Sequence, residues 1–535
     1  MFFRLCSPGP SFHSETPLFL KLTPKHRNQP MTFEQLDDDV LFLIVSEVHE
    51  HQSLPALSMA SRRCRRICVP LLFRQVFIEH TLPARYRLPD FDPFAVPSSV
   101  CLYVKIPSFQ SELPENEGEI DISSLLRVLP AMASLRTACF YDVYFGVPWK
   151  LFLPIASLPS MRTIDIRFSY WQPSHPFNVG AIASRSFSLE KFTYMVGDWR
   201  EYDYSRRGKD LWRIAQGEAE VLGPLLARMS STLRSLHLQS ESTPYSSMVS
   251  MPLPHLRELT LEGKLPLTGG QQIFSVLAII VPSDAIIPQV EDLLLTYPNV
   301  DDKIFNVIPN SLRRLSLRDF LRHYFFFGHV MNPARRWKMR SPIPSEKELL
   351  AILRRVRAPR LEALEIVYKA EDDDRPLWAY IADAFPLLKT LQVHRYREGN
   401  PGPDIEVRRV SNPRYWPRAD PIIQHIFGPL SALHSLHEIH AYLEPVHEYN
   451  PYAVGIQISE EFTDELHGHL HALARTFHPR LRTVGLLVPI SGGHGMYDMG
   501  KPRILPCTSS KIPEGLKCLQ TIALLLSGTR GRTKY

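Results

Sequence analysis

One short pattern, Leu-x-x-Leu-x-Leu, recurs along this 535-residue chain and constrains its fold more than any other feature. Three copies keep leucine at all three positions and start at Leu233, Leu256 and Leu312. Variants and weaker copies start at Leu135, Met161, Leu189, Val290, Leu361, Leu388, Leu436, Leu481 and Leu519. Apolar residues two positions apart lie on the same face of a strand, so each copy predicts a strand with one buried face.

The distance between copies indicates what these strands build. The copies that start at Leu233 and Leu256 are 23 residues apart, and several other gaps fall within the ~20–29 residues of one leucine-rich repeat. Longer gaps, such as the one between Leu312 and Leu361, have room for two repeats or for one repeat with an insertion. We therefore interpret the copies as degenerate leucine-rich repeats.

Helical signals lie between several copies. Ser345 and Glu348 have the spacing of a capping box ahead of an apolar stripe. Asp374 is expected to cap a helix that has Pro376 in its first turn. Ser459 precedes another stripe of apolar residues at helical spacing. Alternating strands and helices predict an α/β fold with a parallel sheet, here an irregular solenoid with helices and loops on its outer face.

The solenoid is expected to span residues 81–535 and to be uneven. The asparagine that regular repeats carry three residues beyond the strand is missing from four copies, where the position is Glu241, Lys264, Phe320 and Lys369. Residues 319–344 and 394–421 are expected to be insertions rich in arginine and aromatic residues. We interpret them as loops whose aromatic side chains pack inward, and the alternatives are contact with a partner or with RNA.

A separate segment, residues 31–80, has the pattern of three short helices. Asp37–Asp39 are expected to cap the first helix, whose apolar side chains lie on nearly every side and should therefore be buried. The second helix contains Leu54, and the third, rich in arginine, is expected to end at Pro70. So much apolar surface on so small a unit indicates a partner, or else a cap on the solenoid.

The order of residues in this segment resembles an F-box. The opening pattern Leu-Pro-x-Glu-Leu-Leu-x-x-Ile corresponds to residues 36–44, where Asp37 stands in place of proline. The pattern Val-Ser-Arg-x-aromatic-Arg corresponds to residues 60–65, where Cys64 stands in place of the aromatic residue. The closing Pro-x-Leu-Tyr-Arg-x-Val corresponds to residues 70–76. The irregular repeats that follow are similar to those of many fungal F-box proteins.

The resemblance implies a non-catalytic subunit of an SCF-type ubiquitin ligase. The F-box would bind a Skp-family adaptor and, through it, cullin and RING subunits, while the repeats would bind an unknown protein substrate destined for degradation. The alternative is a leucine-rich-repeat interaction scaffold that acts outside a ligase. The residues that the resemblance places against the adaptor are Leu36, Asp37, Val40, Leu41, Ile44, Leu54, Leu57, Ala60, Ser61 and Cys64.

The strand pattern also suggests where a substrate would bind. Residues that alternate with the core leucines lie on the opposite face of each strand, which is the concave face of a solenoid. Such candidates are His237, Glu258, Thr260, Arg314, Ser316, Glu365, Gln392 and His394. They are polar and varied, as a binding surface would be, but any solvated strand face has the same composition.

Composition excludes several other classes of protein. No apolar run approaches the ~18 residues of a membrane span. The net charge of +6, from 61 basic and 55 acidic residues, is too small to indicate nucleic acid unless it is concentrated. Seven scattered cysteines without a Cys-x-x-Cys pair fit a reduced compartment, so we expect the cytoplasm, the nucleus or both. Residues 1–30 are expected to be a disordered tail, with a targeting peptide as the alternative.

Two further motifs could carry chemistry, and neither is complete. Gly495 to Lys501 matches the opening of a phosphate-binding loop, but Pro502 stands where a hydroxyl would hold magnesium. His467 and His471 are four residues apart on a predicted helix, without an evident third metal ligand. We therefore expect no enzymatic activity, no cofactor and no metal.

Overall fold

The computed structural model describes residues 36–47, 53–79, 101–111, 123–143, 146–167, 169, 179–183, 185–196, 211–263, 267–268, 271–272, 288–319, 343–370, 374–397, 428–443, 483–488 and 503–506. The chain divides into two compact units. The first unit comprises Met1–Gly208 with Pro224–Leu233, and the second comprises Lys209–Gly223 with Arg234–Tyr535.

The first unit begins with three helices, α1 (Asp38–Ser46), α2 (Ser53–Ala60) and α3 (Arg62–Leu72). Their common core consists of the buried side chains of Leu41, Val45, Leu54, Ile67 and Cys68. Only the first two of these belong to α1, so a single narrow stripe of that helix faces the core.

Helix α3 begins at a side-chain cap and runs past the predicted end. The hydroxyl of Ser61 accepts a hydrogen bond of 3.0 Å from the backbone N–H of Cys64, which satisfies one of the free donors at a helix start. The expected termination at Pro70 is wrong, because α3 continues to Leu72. Proline removes one donor only, and the N–H of Phe73 still bonds to the carbonyl of Val69 at 3.1 Å.

A parallel sheet follows in the first unit, and its strands are adjacent in chain order. The strands are β1 (Gln75–Glu79), β2 (Ile106–Ser111), β3 (Thr137–Val143), β4 (Thr163–Arg167) and β5 (Lys191–Met195). The connecting helices are α4 (Ser123–Val128), α5 (Trp149–Ala156) and α6 (Val179–Ala183), with a 3₁₀ turn at Leu129–Ala131.

The second unit contains a larger sheet, with the order β6-β7-β10-β11-β12-β13-β14-β15-β16. All neighbours in it are parallel except β15 and β16, which are antiparallel. The strands are β6 (Ser235–Gln239), β7 (Glu258–Glu262), β10 (Asp292–Thr296), β11 (Arg314–Arg318), β12 (Ala363–Ala370), β13 (Thr390–Arg397), β14 (Glu438–Leu443), β15 (Thr483–Val488) and β16 (Arg503–Pro506). A separate small hairpin pairs β8 (Leu267–Thr268) with β9 (Gln271–Gln272).

Helices of different length connect these strands. Helix α7 (Leu211–Met229) is divided between the two units. The others are α8 (Tyr245–Val249), α9 (Glu346–Arg355) and α10 (Arg375–Ala384), with 3₁₀ turns at Ser240–Ser242, Lys303–Asn306 and Pro429–Ala432. No helix among the described residues is long and apolar enough to cross a membrane.

The predicted α/β class with a parallel sheet is confirmed, and the recurrent motif explains it. The eleven copies that start between Leu135 and Leu481 each lead into one parallel strand. In the second unit the middle leucine of each copy stands in register with the next, and a buried row crosses the sheet through Leu236, Leu259, Leu293, Leu315 and Leu364. Burying one leucine contributes about 1.5–3 kcal/mol, so this row favours a single strand register.

The three capping predictions had different outcomes. Helix α1 begins after Asp37 as predicted, with Asp38 and Asp39 in its first turn, but the side chain of Asp37 makes no capping hydrogen bond. At α9 the capping box is confirmed: Ser345 Oγ accepts from the N–H of Glu348 at 3.3 Å, and Glu348 Oε2 accepts from the N–H of Ser345 at 2.7 Å. Helix α10 begins after Asp374 as predicted, but the side chain of Asp374 does not cap it. Its carboxylate instead accepts hydrogen bonds from Tyr368 and Arg395, because it is buried beside them.

The boundary of the second predicted insertion is wrong. Residues 394–397 belong to β13, because that strand extends beyond its motif to Arg397. Asp319, at the start of the first predicted insertion, is buried and accepts a hydrogen bond of 3.1 Å from the Tyr396 hydroxyl. Ile343, near the other end of that insertion, is buried as well. Residues 320–342 and 398–421 lie outside the described residues, as do the expected tail, the copy at Leu519, the helix after Ser459, the phosphate-loop match and the His467 pair.

Candidate functional site

An exposed apolar surface covers most of α1 in the first unit. We call the side chains of Val40, Phe42, Leu43 and Ile44 the α1 surface; they are between 40% and 64% exposed. On α2, Met59 is 72% exposed. Val40, Leu43 and Ile44 are three and four positions apart and therefore share one face of the helix. Exposed apolar residues grouped in this way are unusual, whereas scattered exposed leucines are common on any protein.

An ion cluster fixes the start of α1 against α3. Asp38 Oδ1 accepts from Arg63 Nε at 2.7 Å, and Asp38 Oδ2 accepts from Arg66 at 2.5 Å. Arg63 also donates to the backbone carbonyl of Leu36. The hydrogen bond from Arg63 and the charges of both arginines hold the pKa of Asp38 below its ordinary value. The arginines that follow Ser61 therefore position α1 as well as forming a solvated face.

The residues expected to contact an adaptor occupy three environments. The exposed ones are Asp37, Val40, Ile44, Ala60 and Ser61, and the half-buried ones are Leu36 and Leu57. Leu41, Leu54 and Cys64 are buried in the bundle. They therefore pack in its core and are not accessible to a partner. The expectation that α1 is buried on nearly all sides is wrong, because its neighbours cover only the stripe of Leu41 and Val45.

Sequence reasoning assigned no partner role to three residues that the bundle exposes. These are Phe42, Leu43 and Met59. A signal for them was present in the sequence, since α1 has more apolar residues than a small three-helix unit can cover. Which of them stay exposed depends on how α2 and α3 pack, and that is not encoded locally.

The polar face of the second sheet is the other candidate surface. It consists of the residues that alternate with the buried leucines of β6, β7 and β10–β14. A hydrogen-bonded chain crosses three of its strands: Ser316 Oγ donates to Glu365 Oε2 at 2.5 Å, and Gln392 Nε2 donates to Glu365 Oε1 at 3.0 Å. Gln392 Nε2 also lies 2.9 Å from His394 Nε2.

A second cluster on this face surrounds a carboxylate. His237 Nε2 lies 3.3 Å from Glu262 Oε2, and Arg318 pairs with the other oxygen of the same group. Burial alone would raise the pKa of Glu262, but the contact with His237 and the charge of Arg318 outweigh it. The pKa of Glu262 therefore lies below its ordinary value, and the carboxylate stays ionised at neutral pH.

The polar face becomes less accessible from the start of the strands toward their ends. Glu258 and Arg314, at the strand starts, are exposed. In the next row, the half-buried residues are His237, Thr260, Ser316, Glu365 and Gln392. His394, one row further, is fully buried, so the expectation that it contacts a substrate directly is wrong for this conformation. A partner of this face therefore meets mainly the residues at the strand starts.

Charged residues at those strand starts form a ladder that we call the charged strip. It consists of Arg257, Glu291, Arg313, Glu362 and Lys389, each one residue before its strand or in the turn that leads to it. Backbone hydrogen bonds of 2.7–2.8 Å link each of these residues to the preceding one. Their side chains pair across the strands at 3.4, 4.0, 3.4 and 2.7 Å in that order. The sign of the charge thus alternates over these five positions, and Arg234, the equivalent residue before β6, has the same sign as its neighbour Arg257.

A groove of about 420 Å³ runs along this strip. Its lining includes three acidic and three basic side chains, together with the smaller residues Ala363 and Thr390. The lining residues are Glu291, Asp292, Arg313, Arg314, Glu362, Ala363, Lys389, Thr390 and His437. The hydrogen bond from Lys389 and the positive charges nearby hold the pKa of Glu362 below its ordinary value.

The charged strip was missed in the sequence, although a signal for it exists. Its members occupy the second position of Leu-x-x-Leu-x-Leu, where the copies read Arg, Glu, Arg, Glu and Lys in chain order. That alternation has meaning only once the parallel register places the five positions side by side. No group of three or more potential metal ligands occurs among the described residues.

Comparisons with known proteins add little to this description. Neither a protein-family model nor a curated protein matches the chain. Among solved structures, the chain matches the crystal structure of a Bacteroides fragilis protein that was a structural-genomics target, with 11% sequence identity. The match covers 76% of this chain and 67% of that chain, and its TM-score is 0.18. A similarity of that size supports no inference about function.

Proposed function

We propose that this protein is the substrate-recognition subunit of an SCF-type ubiquitin ligase, in which α1–α3 form an F-box that binds a Skp-family adaptor. The observation that carries the proposal is the α1 surface. The bundle buries two apolar side chains of α1, Leu41 and Val45, while the four side chains of the α1 surface remain exposed to solvent. Contiguous apolar surface of this kind is typical of a protein interface, and it lies in the segment whose residue order resembles an F-box.

The sheets would form the second functional part, an irregular leucine-rich-repeat solenoid that holds a protein substrate. One parallel strand for each Leu-x-x-Leu-x-Leu copy is the arrangement that a repeat solenoid requires. The polar face of the second unit has exposed charged residues and a groove at the strand starts. Both features suit contact with another polypeptide.

The contribution of such a subunit to ubiquitin transfer is proximity. By binding the adaptor, and through it cullin and RING subunits, the chain would hold its substrate near the ubiquitin-charged enzyme. Holding two reactants together raises their effective concentration and needs no catalytic side chain from this protein. In the cell this places the protein in the cytoplasm, the nucleus or both, as the sequence analysis expects.

Co-purification with a Skp-family adaptor tests the proposal. The full chain should retain the adaptor, and the double variant Leu43→Asp/Ile44→Asp should lose it, because both side chains are exposed and their replacement leaves the bundle core intact. Leu41 is unsuitable for this test, since it is 1% exposed and its replacement by aspartate would unfold the bundle.

A matched control separates a specific surface from general solubility effects. Leu387, in the second unit, is 48% exposed, so Leu387→Asp introduces an aspartate at a similarly exposed leucine. This variant should retain the adaptor as the natural chain does. If the folded natural chain retains no adaptor, the ligase proposal is wrong and the interaction scaffold outside a ligase becomes the better interpretation.

A further inference from the structure

The position and pattern of the charged strip point to a particular kind of partner. Charges of both signs are balanced along the groove, with Glu291, Asp292 and Glu362 opposed by Arg313, Arg314 and Lys389. A balanced surface neither concentrates a polyanion such as RNA nor attracts an anionic membrane. It discriminates instead by the order of charges, which favours a polypeptide that carries both signs.

The spacing of the strip selects the conformation of that polypeptide. Neighbouring strands lie ~4.8 Å apart, so like charges on the strip repeat every ~9.6 Å. In an extended chain, side chains on one face repeat every ~6.7 Å. That distance exceeds the ~4.8 Å between neighbouring strands, so the side chains of an extended partner would no longer match the charges of the strip after one strand. On a helix, residues at i, i+3 or i+4, and i+7 share a face and are separated by ~5.3 Å along the axis on average. A helix with alternating charges at these positions therefore stays in step over the ~19 Å of the five strands.

The smaller residues along the groove are compatible with such an occupant. Ala363 is small and half-buried, and Thr390, its register partner on the next strand, is also half-buried. Leu294, two residues beyond Asp292 on the same face of β10, is half-buried as well. A helix lying across the strands would thus meet partly accessible small and aliphatic residues beside the charged side chains, a mixture that is common at protein interfaces.

We propose that the charged strip of the second unit binds a helix laid across its strands, whose exposed stripe alternates between acidic and basic side chains. This inference rests on the proposed role of the polar face in holding a protein substrate and names the structural class of the segment that is recognised. In each ion pair of the strip at least one of the two side chains is exposed. Each such pair contributes little to stability. A matched helix can therefore exchange them for pairs with its own side chains at little cost.

The test uses the full chain and two labelled peptides of the same composition. Both are alanine-based helices of about 21 residues, long enough to span the strip. In the first, glutamate and lysine alternate at i, i+3 or i+4, and i+7; in the second, the glutamates are in one half and the lysines in the other. Circular dichroism verifies that both are helical, and fluorescence anisotropy measures both dissociation constants.

We expect the alternating peptide to bind about fivefold more tightly than the block peptide, the ratio that one additional exposed ion pair of ~1 kcal/mol provides. The ratio should fall toward one when the ionic strength is raised from about 0.05 M to about 0.5 M, because screening weakens exposed pairs. Equal affinity for the two peptides at low ionic strength would overturn the proposal.

Substitutions in the strip identify the surface. Arg313→Glu/Lys389→Glu makes the strip acidic from Glu291 to residue 389 and should remove the preference for the alternating peptide. The control Arg357→Glu/Arg360→Glu introduces the same change in charge at exposed positions outside the groove and should preserve it. If the first variant does not fold, Arg313→Gln/Lys389→Gln replaces it. Loss of the preference in the control as well would contradict the assignment.

The remaining outcome concerns a different class of partner. A single-stranded RNA oligonucleotide that binds more tightly than the alternating peptide, and loses its binding in Arg313→Glu/Lys389→Glu, would assign the strip to polyanions and overturn the proposal. The adaptor experiment is independent of these measurements, because it probes the α1 surface. A chain that retains the adaptor and ignores both peptides therefore refutes the helix inference alone.

Discussion

Arg395 Nε on β13 donates a hydrogen bond of 2.8 Å to Oδ2 of Asp374, the residue before α10. The same oxygen accepts from the Tyr368 hydroxyl on β12, also at 2.8 Å. Asp374 and Tyr368 are buried. Burial and the adjacent carboxylate raise the pKa of Tyr368 well above its usual value, so the phenol stays neutral and continues to donate. The three groups connect two strands and a helix within the second unit.

Removing the cation from this cluster should be strongly destabilising. In Arg395→Ala the buried carboxylate of Asp374 loses its cation and keeps, among the described residues, the hydrogen bond from Tyr368. The free energy of unfolding should fall by about 3–5 kcal/mol. Urea unfolding measures the change. The control Arg360→Ala removes an exposed arginine and should stay within about 0.5 kcal/mol of the natural chain. A loss below about 1 kcal/mol in Arg395→Ala would contradict the importance of the pair.

Gly263 should tolerate a side chain less well than Gly217, although both lie in the second unit. Its φ is +148°, and an added Cβ would contact the Glu241 carboxylate and lie 2.9 Å from Gln239 Cγ. Gly263→Ala should therefore lower the free energy of unfolding by about 1–3 kcal/mol. Gly217 lies in helix α7 with nothing within 4 Å of an added Cβ, so Gly217→Ala should instead raise it by about 0.5–1 kcal/mol.

Thermal and urea unfolding of both variants measure these changes. The opposite signs make the comparison informative, because a general effect of adding a methyl group would move both proteins in the same direction. A stabilised Gly263→Ala variant would show that the turn after β7 rearranges to accept a side chain.

Strands that follow a repeated local pattern were predictable from the sequence, whereas strands without it were not. The copies starting between Leu135 and Leu481 place apolar residues two positions apart, which is sufficient to assign a strand and its buried face. β1 and β2 lack the motif; β1 coincides with the closing part of the F-box-like pattern, and β2 contains Pro107. β16 pairs antiparallel at the sheet edge, a choice that no local pattern specifies.

The candidate surfaces were only partly predictable, because exposure depends on contacts between distant residues. The segment that forms α1–α3 was identified, but the resemblance placed Leu41 and not Leu43 against the adaptor, whereas Leu41 is 1% exposed and Leu43 is 64% exposed. On the polar face, strand alternation selected Ser316 and His394 alike, although only Ser316 keeps any accessible surface. Alternation assigns a residue to a face and says nothing of what covers that face.

The stability of the second unit should depend on pH through Glu262. The pKa of this carboxyl group is lower in the folded protein than its ordinary value of 4.5. A depressed pKa contributes stability above the unfolded value, and that contribution is lost as pH falls through the folded pKa. We therefore expect Glu262→Gln to lower the free energy of unfolding at pH 7 and to have a progressively smaller effect below about pH 4.5.

Urea unfolding of both proteins at a series of pH values checks this expectation. The control is Glu220→Gln, since Glu220 is exposed on α7; its effect should be small and nearly constant with pH. An effect of Glu262→Gln that is the same at pH 7 and pH 3 would show that the contacts with His237 and Arg318 do not favour the ionised carboxylate.

Leu41 and Leu43 provide the sharpest separation of stability from binding in the first unit. Leu41→Ala removes a core side chain of α1 and should destabilise the bundle by about 2–5 kcal/mol, since the cavity it leaves can close only partly. Leu43→Ala removes an exposed side chain and should change stability by no more than about 0.5 kcal/mol, yet weaken adaptor binding. Hydrogen exchange of the α1 and α3 amides reports the first effect, and a titration with the adaptor reports the second. Protection lost in Leu43→Ala, with the adaptor still bound normally, would mean that the α1 surface is covered within the protein itself and is not its docking site.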